Sequence, residues 1–305
     1  MTLQIIGPQA ETLLTWPGLL DALAAGHRLP KPDIKDLLIH RGPDTLLNRA
    51  TWIAGLGALV KVATILPGNA AMGLPTINGA VTLYDDKTGE LTALVDFHLV
   101  TKWKTAGDSL LSASRLARKD SRRILLVGAG AVARSMVQAY RAIWPQAEFT
   151  VWSRNAATAT AMAEPLGLAI APSLEQVVPQ ADIICTCTMS TEPLIRGEWL
   201  RPGQHLDLIG AYRPDMREVD DTAISRARLF VDSRATTLHH IGELMAPLKS
   251  GAITESDVIA DFYDDPALFC RTSPDEITIA KNGGGAHLDL MTASYIARAW
   301  TTRSQ

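Results

Sequence analysis

The run Arg123-Ile-Leu-Leu-Val-Gly-Ala-Gly-Ala-Val-Ala133 constrains this chain more than any other feature. Five β-formers open directly into Gly128-x-Gly130-x-x-Ala133, and a helical pattern follows. This is the strand–turn–helix setting of a dinucleotide fingerprint. Gly128 permits the tight turn, Gly130 lets backbone approach a pyrophosphate, and Ala133 allows close helix–sheet packing. The anion then sits on the helix N-terminus, where free N–H groups and the helix dipole favour it, so Gly128, Gly130, Ala131 and Val132 are assigned to the cofactor. About 20 residues later the chain reads Phe149-Thr-Val-Trp-Ser-Arg-Asn155. An NAD site ends its second strand in Asp or Glu to bind the ribose 2′-hydroxyl. Ser153, Arg154 and Asn155 instead suit a 2′-phosphate, so the cofactor expected is NADP(H).

The texture from Ser121 onward alternates strand and helix, with strands readable at 123–127, 148–152, 168–171, 182–187, 205–209, 228–231 and 277–280. That predicts a doubly wound α/β domain over residues 119–286. Residues 1–118 read differently. Pro8 to Ala25 looks helical, Leu46 to Ile65 is strand-like with breaks at Gly55 and Gly57, and Ile77–Tyr84 and Leu91–Phe97 flank a glycine-containing turn as a hairpin. Thr101 to Arg118 has helical spacing, with Thr101 as its N-cap. A last helix, about 287–302, is expected to pack back on this first part. The first domain is therefore residues 1–118 with 287–305, an α+β substrate and dimerisation unit.

Composition excludes several classes. A formal net charge of −3 and 47% hydrophobic residues argue against disorder and against a polyanion-binding surface. No apolar run approaches the ~18 residues of a membrane span, and Met1-Thr-Leu-Gln-Ile-Ile-Gly-Pro8 has no signal-peptide pattern. The expected location is the cytoplasm, with neither nucleic acid nor membrane as partner. Cys185 and Cys187 read as buried strand cysteines, and the histidines as structural or surface groups without metal-ligand spacing.

Several residues carry possible chemistry. Lys61 lies inside the apolar strand Leu59-Val-Lys-Val-Ala-Thr-Ile65, where partial desolvation lowers a lysine's pKa and suits it to proton transfer. Lys102 and Lys104 fall in what reads as a first helical turn, which becomes favourable if an anion such as a substrate carboxylate binds there. The two lie ~200° apart, and Lys104 is taken as the one facing the site. Arg49 and Arg41 are both candidates to clamp that carboxylate, and spacing does not separate them. Thr76 follows the turn-rich segment Gly73-Leu-Pro75. Thr186 and Thr188 end a parallel strand, where ligands of open α/β sheets bind. Gly284, within Gly283–Gly285, permits backbone to approach a nicotinamide.

With these pieces in order, the chain resembles the ornithine cyclodeaminase/μ-crystallin family over nearly its whole length. The matching segments include Lys61-Val, Pro67-Gly-Asn69, Gly73-Leu-Pro-Thr76, Thr101-Lys-Trp-Lys-Thr-Ala106, Gly128-Ala-Gly130, Ala181–Thr188, Ile209-Gly-Ala211, Arg213-Pro-Asp215 and Gly284-x-Ala286-x-x-Asp289. The resemblance implies a homodimer whose first domains pair through β-structure, with substrate held between that domain and a Rossmann domain. It also implies that Lys61, Thr76 and an N-terminal arginine meet the substrate. Two departures matter. The family usually has Arg where this chain has Lys104, so a bidentate clamp becomes a point charge. Cyclodeaminases carry an acid/base aspartate where this chain has Tyr212. The expectation is thus an NADPH-dependent ketimine reductase taking Δ1-pyrroline-2-carboxylate or Δ1-piperideine-2-carboxylate to L-proline or L-pipecolate. The alternatives are a cyclodeaminase or amino-acid dehydrogenase of the family, and a non-catalytic NADPH-dependent binding protein like μ-crystallin.

Overall fold

A computed structural model describes residues 3–303. Residues 1–2 and 304–305, at the ends of the range expected for the first domain, lie outside the described residues. The chain divides into two compact units: one runs through Lys104 and resumes at Gly285, and the other is Thr105–Gly284. The first changeover, expected at residue 118, falls inside the continuous helix Phe97–Leu116. No turn residue marks a boundary within a helix, so the sequence carries no sign of it.

The first unit is built on a six-stranded sheet in the order β1-β6-β5-β4-β3-β2. Its strands are β1 (Gln4–Ile6), β2 (Asp33–Arg41), β3 (Asp44–Ile53), β4 (Gly57–Ile65), β5 (Ile77–Tyr84) and β6 (Leu91–Asp96). β2 to β6 form an antiparallel meander, and β1 pairs with β6 in parallel. Along β4 the residues Gly57, Leu59, Lys61 and Ala63 are buried, in the period of two that a half-buried strand shows. Lys61 therefore takes a place on the inward face. The helix Ala286–Thr302 packs on β3 and β4.

Three local expectations are corrected. The helix anticipated from Pro8 to Ala25 is a 3-10 turn, Pro8–Leu13, followed by the α-helix Trp16–Gly26. Thr15 separates them, because its hydroxyl accepts from the Gly18 N–H at 3.2 Å and caps the second piece. Strand β2 is absent from the sequence expectation, since nearly every residue in it is exposed and no alternation reveals it. The helix read as starting at Thr101 begins at Phe97, where the Asp96 carboxylate accepts from the Leu99 N–H at 2.7 Å. Trp103 of this helix stacks on Trp16, with ring centroids 4.0 Å apart.

The second unit is an eight-stranded sheet, wholly parallel, in the order β13-β12-β14-β11-β10-β7-β8-β9. The strands are β7 (Arg123–Val127), β8 (Glu148–Trp152), β9 (Ala169–Ile170), β10 (Ile183–Thr186), β11 (His205–Leu208), β12 (Arg228–Val231), β13 (Val258–Ala260) and β14 (Thr278–Lys281). Every residue of β10, β11 and β14 is buried, as in a sheet covered on both faces. β8 and β10 lie on opposite sides of β7, so the strand order reverses there and a ligand crevice opens at the C-terminal ends. This is the Rossmann-like, doubly wound domain expected, together with a second domain of α+β type.

Candidate active site

Strand register gathers charge in the first unit. Arg49 on β3 stands opposite Asp36 on β2 and opposite Lys61 on β4, so the three share one row across the sheet. The Arg49 guanidinium grips the Asp36 carboxylate as a fork, with Nε 3.0 Å from Oδ1 and Nη2 2.6 Å from Oδ2. Lys61 Nζ donates to Oδ1 of Asp289 at 2.8 Å and to the Thr101 hydroxyl at 2.8 Å, and lies 4.7 Å from the Phe97 ring centroid. Asp289 comes from the helix Ala286–Thr302 and is completely buried. Its Oδ2 is 3.9 Å from Nη1 of Arg49.

Electrostatics follow from this crowding. Burial pushes the Lys61 ammonium below the usual lysine range; Asp289 opposes that shift, and Lys104 and Arg49 reinforce it. Burial by itself would raise the Asp289 carboxyl, but Lys61, Lys104 and Arg49 outweigh it and hold the group below the ordinary carboxylate value. His287, buried on the same helix, is held far below the usual imidazole range, first by burial and then by His27 and Lys104. The cluster is a lysine–carboxylate pair set among further cations.

The other residues read as substrate contacts fall into place unevenly. Arg41 sits at the exposed tip of the β2–β3 hairpin, bonded to Asp44, whereas Arg49 adjoins the cluster. Lys102 is engaged by Glu11 at 2.5 Å. Lys104 is the eighth residue of its helix, not in the first turn, so the argument from free N–H groups fails for it. It lies one turn beyond Thr101 on the same helix face, and its charge acts on Lys61 and Asp289. Thr76 is on the connection before β5, roughly 16 Å along that strand from Val81, the partner of Lys61. The structure does not bring Thr76 to the cluster.

The second unit carries the nucleotide features. Gly128 has φ +113, and a Cβ there would lie 2.9 Å from the Cys187 carbonyl oxygen, so the fold itself requires glycine. Gly130 differs: a Cβ would meet no protein atom within 4 Å. Its bare backbone faces open space at the head of the 13-residue helix Ala131–Ile143, which has no side-chain cap. The N–H groups of Ala131 and Val132 are therefore available to an anion, and the site fits a dinucleotide pyrophosphate. Arg154 is exposed beyond β8, beside Ser153, whose hydroxyl pairs with that of Thr158 at 3.0 Å. Asn155 has a different task from the one expected: its side chain accepts from the Ala157 N–H and caps the helix Ala156–Leu166.

Residues 53–304 match the model of the ornithine cyclodeaminase/mu-crystallin family. The chain belongs to that family. A Δ(1)-pyrroline-2-carboxylate reductase of Paracoccus denitrificans is 52% identical over 293 residues, covering 93% of each chain. The ketimine reductase mu-crystallin of Mus musculus is 31% identical over 244 residues, 79% of this chain and 76% of that protein. Among solved structures, a Thermococcus litoralis Δ(1)-pyrroline-2-carboxylate reductase in complex with NADH and L-proline superposes with a TM-score of 0.89 at 26% identity, covering 99% of this chain and 98% of the other.

Within this member of the family, the residues after β10 and β14 are shaped by buried carboxylates that sequence reasoning passed over. Thr186 and Thr188, read as cofactor contacts, both donate their hydroxyls to Glu218, which also accepts from the N–H groups of Thr188, Gly210 and Ala211. Thr186 is fully buried and braces the loop rather than facing a ligand. Glu243 accepts from the N–H groups of Glu218 and Val219, and Lys281 Nζ donates to the carbonyls of Leu208, Ala211 and Asn282. The Gly284 N–H is fixed by Asp232 at 2.6 Å, so the glycine run is clamped. Tyr212 is exposed and lies against Arg213.

Proposed function

We propose that this chain is an NADPH-dependent reductase of small cyclic imino acids, forming L-proline from Δ1-pyrroline-2-carboxylate and L-pipecolate from Δ1-piperideine-2-carboxylate. The observation that carries the reading is the buried Lys61–Asp289 pair with Arg49 and Lys104 about it. Three cations, Lys61, Arg49 and Lys104, meet two carboxylates, Asp289 and Asp36, and a substrate carboxylate relieves the remaining imbalance. Similarity to the Paracoccus and Thermococcus reductases supports the same substrate class, and a tyrosine at position 212 removes the acid that ammonia loss requires.

Arg49 and Lys104 hold the substrate carboxylate. Lys61, an ammonium weakened by burial, is suited to supply a proton at the ring nitrogen. When bound, the reduced nicotinamide supplies the hydride. Arg154 favours the 2′-phosphorylated form, because a guanidinium makes strong charge-assisted bonds to phosphate. A homodimer is part of the same reading. β2 is the outer strand of its sheet, and Leu37, Leu38 and Ile39 on it are 58%, 52% and 52% exposed. A second copy of the chain covers such an edge in a protein whose family pairs through β-structure.

The decisive measurement is nicotinamide absorbance against a substrate panel. Consumption of NADPH with Δ1-pyrroline-2-carboxylate is the expected result, with NADH used less well. Arg154→Ala should weaken NADPH by roughly 10- to 150-fold, the worth of a charge-assisted hydrogen bond, and leave NADH nearly unaffected. Ornithine-dependent ammonia release would establish a cyclodeaminase instead. Cofactor binding without turnover across imines and oxo acids would establish a binding protein.

A further inference from the structure

Five hydrogen bonds converge on the carboxylate of Glu218, a completely buried residue that follows β11. Oε1 accepts from the N–H and the hydroxyl of Thr188, on the loop after β10, at 2.7 Å each. Oε2 accepts from the N–H groups of Gly210 and Ala211, on the loop after β11, at 2.9 and 3.2 Å, and from the Thr186 hydroxyl at 2.8 Å. One side chain thus staples two neighbouring loops. Its own backbone is fixed too, because the Glu218 N–H donates to Glu243 at 2.8 Å. The loops are in contact: a Cβ on Gly210 would lie 2.2 Å from the Thr188 carbonyl oxygen. The first loop also borders the fingerprint turn, where a Cβ on Gly128 would lie 3.3 Å from the Thr188 methyl group. This is the C-terminal edge of a parallel sheet, where ligands of open α/β folds bind.

We propose that Glu218 is a positioning residue for the nicotinamide half of the cofactor, setting the loops after β10 and β11 at the spacing that half requires. This rests on the reading of the second unit as a nicotinamide-dinucleotide site. The direction of the cofactor follows from the sheet. Arg154, the partner chosen for the adenosine 2′-phosphate, lies beyond β8, and the pyrophosphate belongs at Gly128–Val132 after β7. β10 and β11 are on the other side of β7, so the far half of the dinucleotide runs over the loops that Glu218 staples. Glu218 itself is buried and acts through Thr188 and Gly210, both of which are partly accessible. An ionised carboxylate suits the task because both of its oxygens only accept. A glutamine would turn an amide NH2 towards N–H or O–H donors and leave donors unpaired. Loops fixed in advance hold the nicotinamide without the entropic cost of ordering them on binding.

The test compares calorimetric binding of NADPH with that of 2′,5′-ADP, which keeps the adenosine half and lacks the nicotinamide half. In Glu218→Gln, NADPH should bind about 10- to 100-fold more weakly while 2′,5′-ADP keeps its wild-type affinity. A loss shared by both ligands would show a merely structural role, and a loss for neither would show no role; either result overturns the proposal. Should that variant fail to fold, Thr186→Val decides. This buried, nearly isosteric change removes one donor to Oε2 at a position that no ligand reaches. Its expected effect is a loss of about 3- to 10-fold confined to NADPH, and the same two results overturn the proposal. A wild type that prefers NADH would remove the choice of NADPH alone, and the pair compared becomes NADH and 5′-AMP. Binding needs no turnover, so the outcome is independent of which imino acid is reduced.

Discussion

A lysine ammonium buried against one carboxylate oxygen is secure only while both partners remain. Lys61→Met keeps the apolar stem but strands Asp289 with an uncompensated charge, Arg49 being 3.9 Å away. Breaking a buried pair from one side typically costs about 3–5 kcal/mol, and the nearby guanidinium puts this case near the lower end. Urea unfolding should show that loss in Lys61→Met and recover most of it in the double variant Lys61→Met, Asp289→Asn. Additive losses would show that the two groups are not coupled. Lys61 was legible in the sequence, because a charge in an apolar strand is conspicuous. Asp289 was not: it lies 228 positions away, and only folding gives it meaning. Arg41 and Arg49 looked alike for a similar reason, and the antiparallel register alone separates them.

Elements carry their own predictions. The loop after β11 is held by Glu218, which is held in turn by Glu243 and approached by Lys281. Burial, with Glu218 adding to it and Lys281 opposing, pushes the Glu243 carboxyl up to about 7 from its ordinary 4.5. A raised carboxyl favours the protonated form in the folded state, so its contribution is full below the ordinary value and is lost as pH rises through about 7. A tenfold change in proton affinity between the folded and unfolded chain is worth about 1.4 kcal/mol. Wild type should therefore lose stability relative to Glu243→Gln between pH 5 and pH 8, as read by urea midpoints at both ends; parallel profiles would count against it. At this scale the sequence spoke clearly wherever the signal was local. A β-run, two glycines and a helix specify the β7–β8 unit within 30 residues. β2 escaped because exposure on both faces erases alternation, and the helix at Phe97 started early because its cap, Asp96, ends an apolar strand.

For the whole molecule, the proposed dimer puts the exposed edge β2 at the contact between copies. Leu38→Lys places a charge in the middle of that edge, a substitution that resists strand pairing. Light scattering should give twice the chain mass for wild type and a shift towards the single chain for the variant at micromolar concentration; a single-chain wild type would remove the dimer from the reading. The two-domain plan was legible because the α/β texture of residues 119–286 contrasts with what precedes it, and the last helix was expected to rejoin the first unit; the changeover within the helix Phe97–Leu116 was not, since nothing in the sequence marks it.

That helix has a consequence for the order in which the chain is made. The unit Thr105–Gly284 is continuous and is complete when its last strand emerges during synthesis, but the unit that holds Lys61 is interrupted by all of it. Gln4 and Thr301, 297 positions apart, bond to each other at 3.0 Å, tying an earlier-made residue to a much later one. Until Asp289 leaves the ribosome, Lys61 faces a helix surface that does not yet exist, with no counter-charge. A nascent chain thus carries a finished nucleotide fold long before it carries a finished reaction centre.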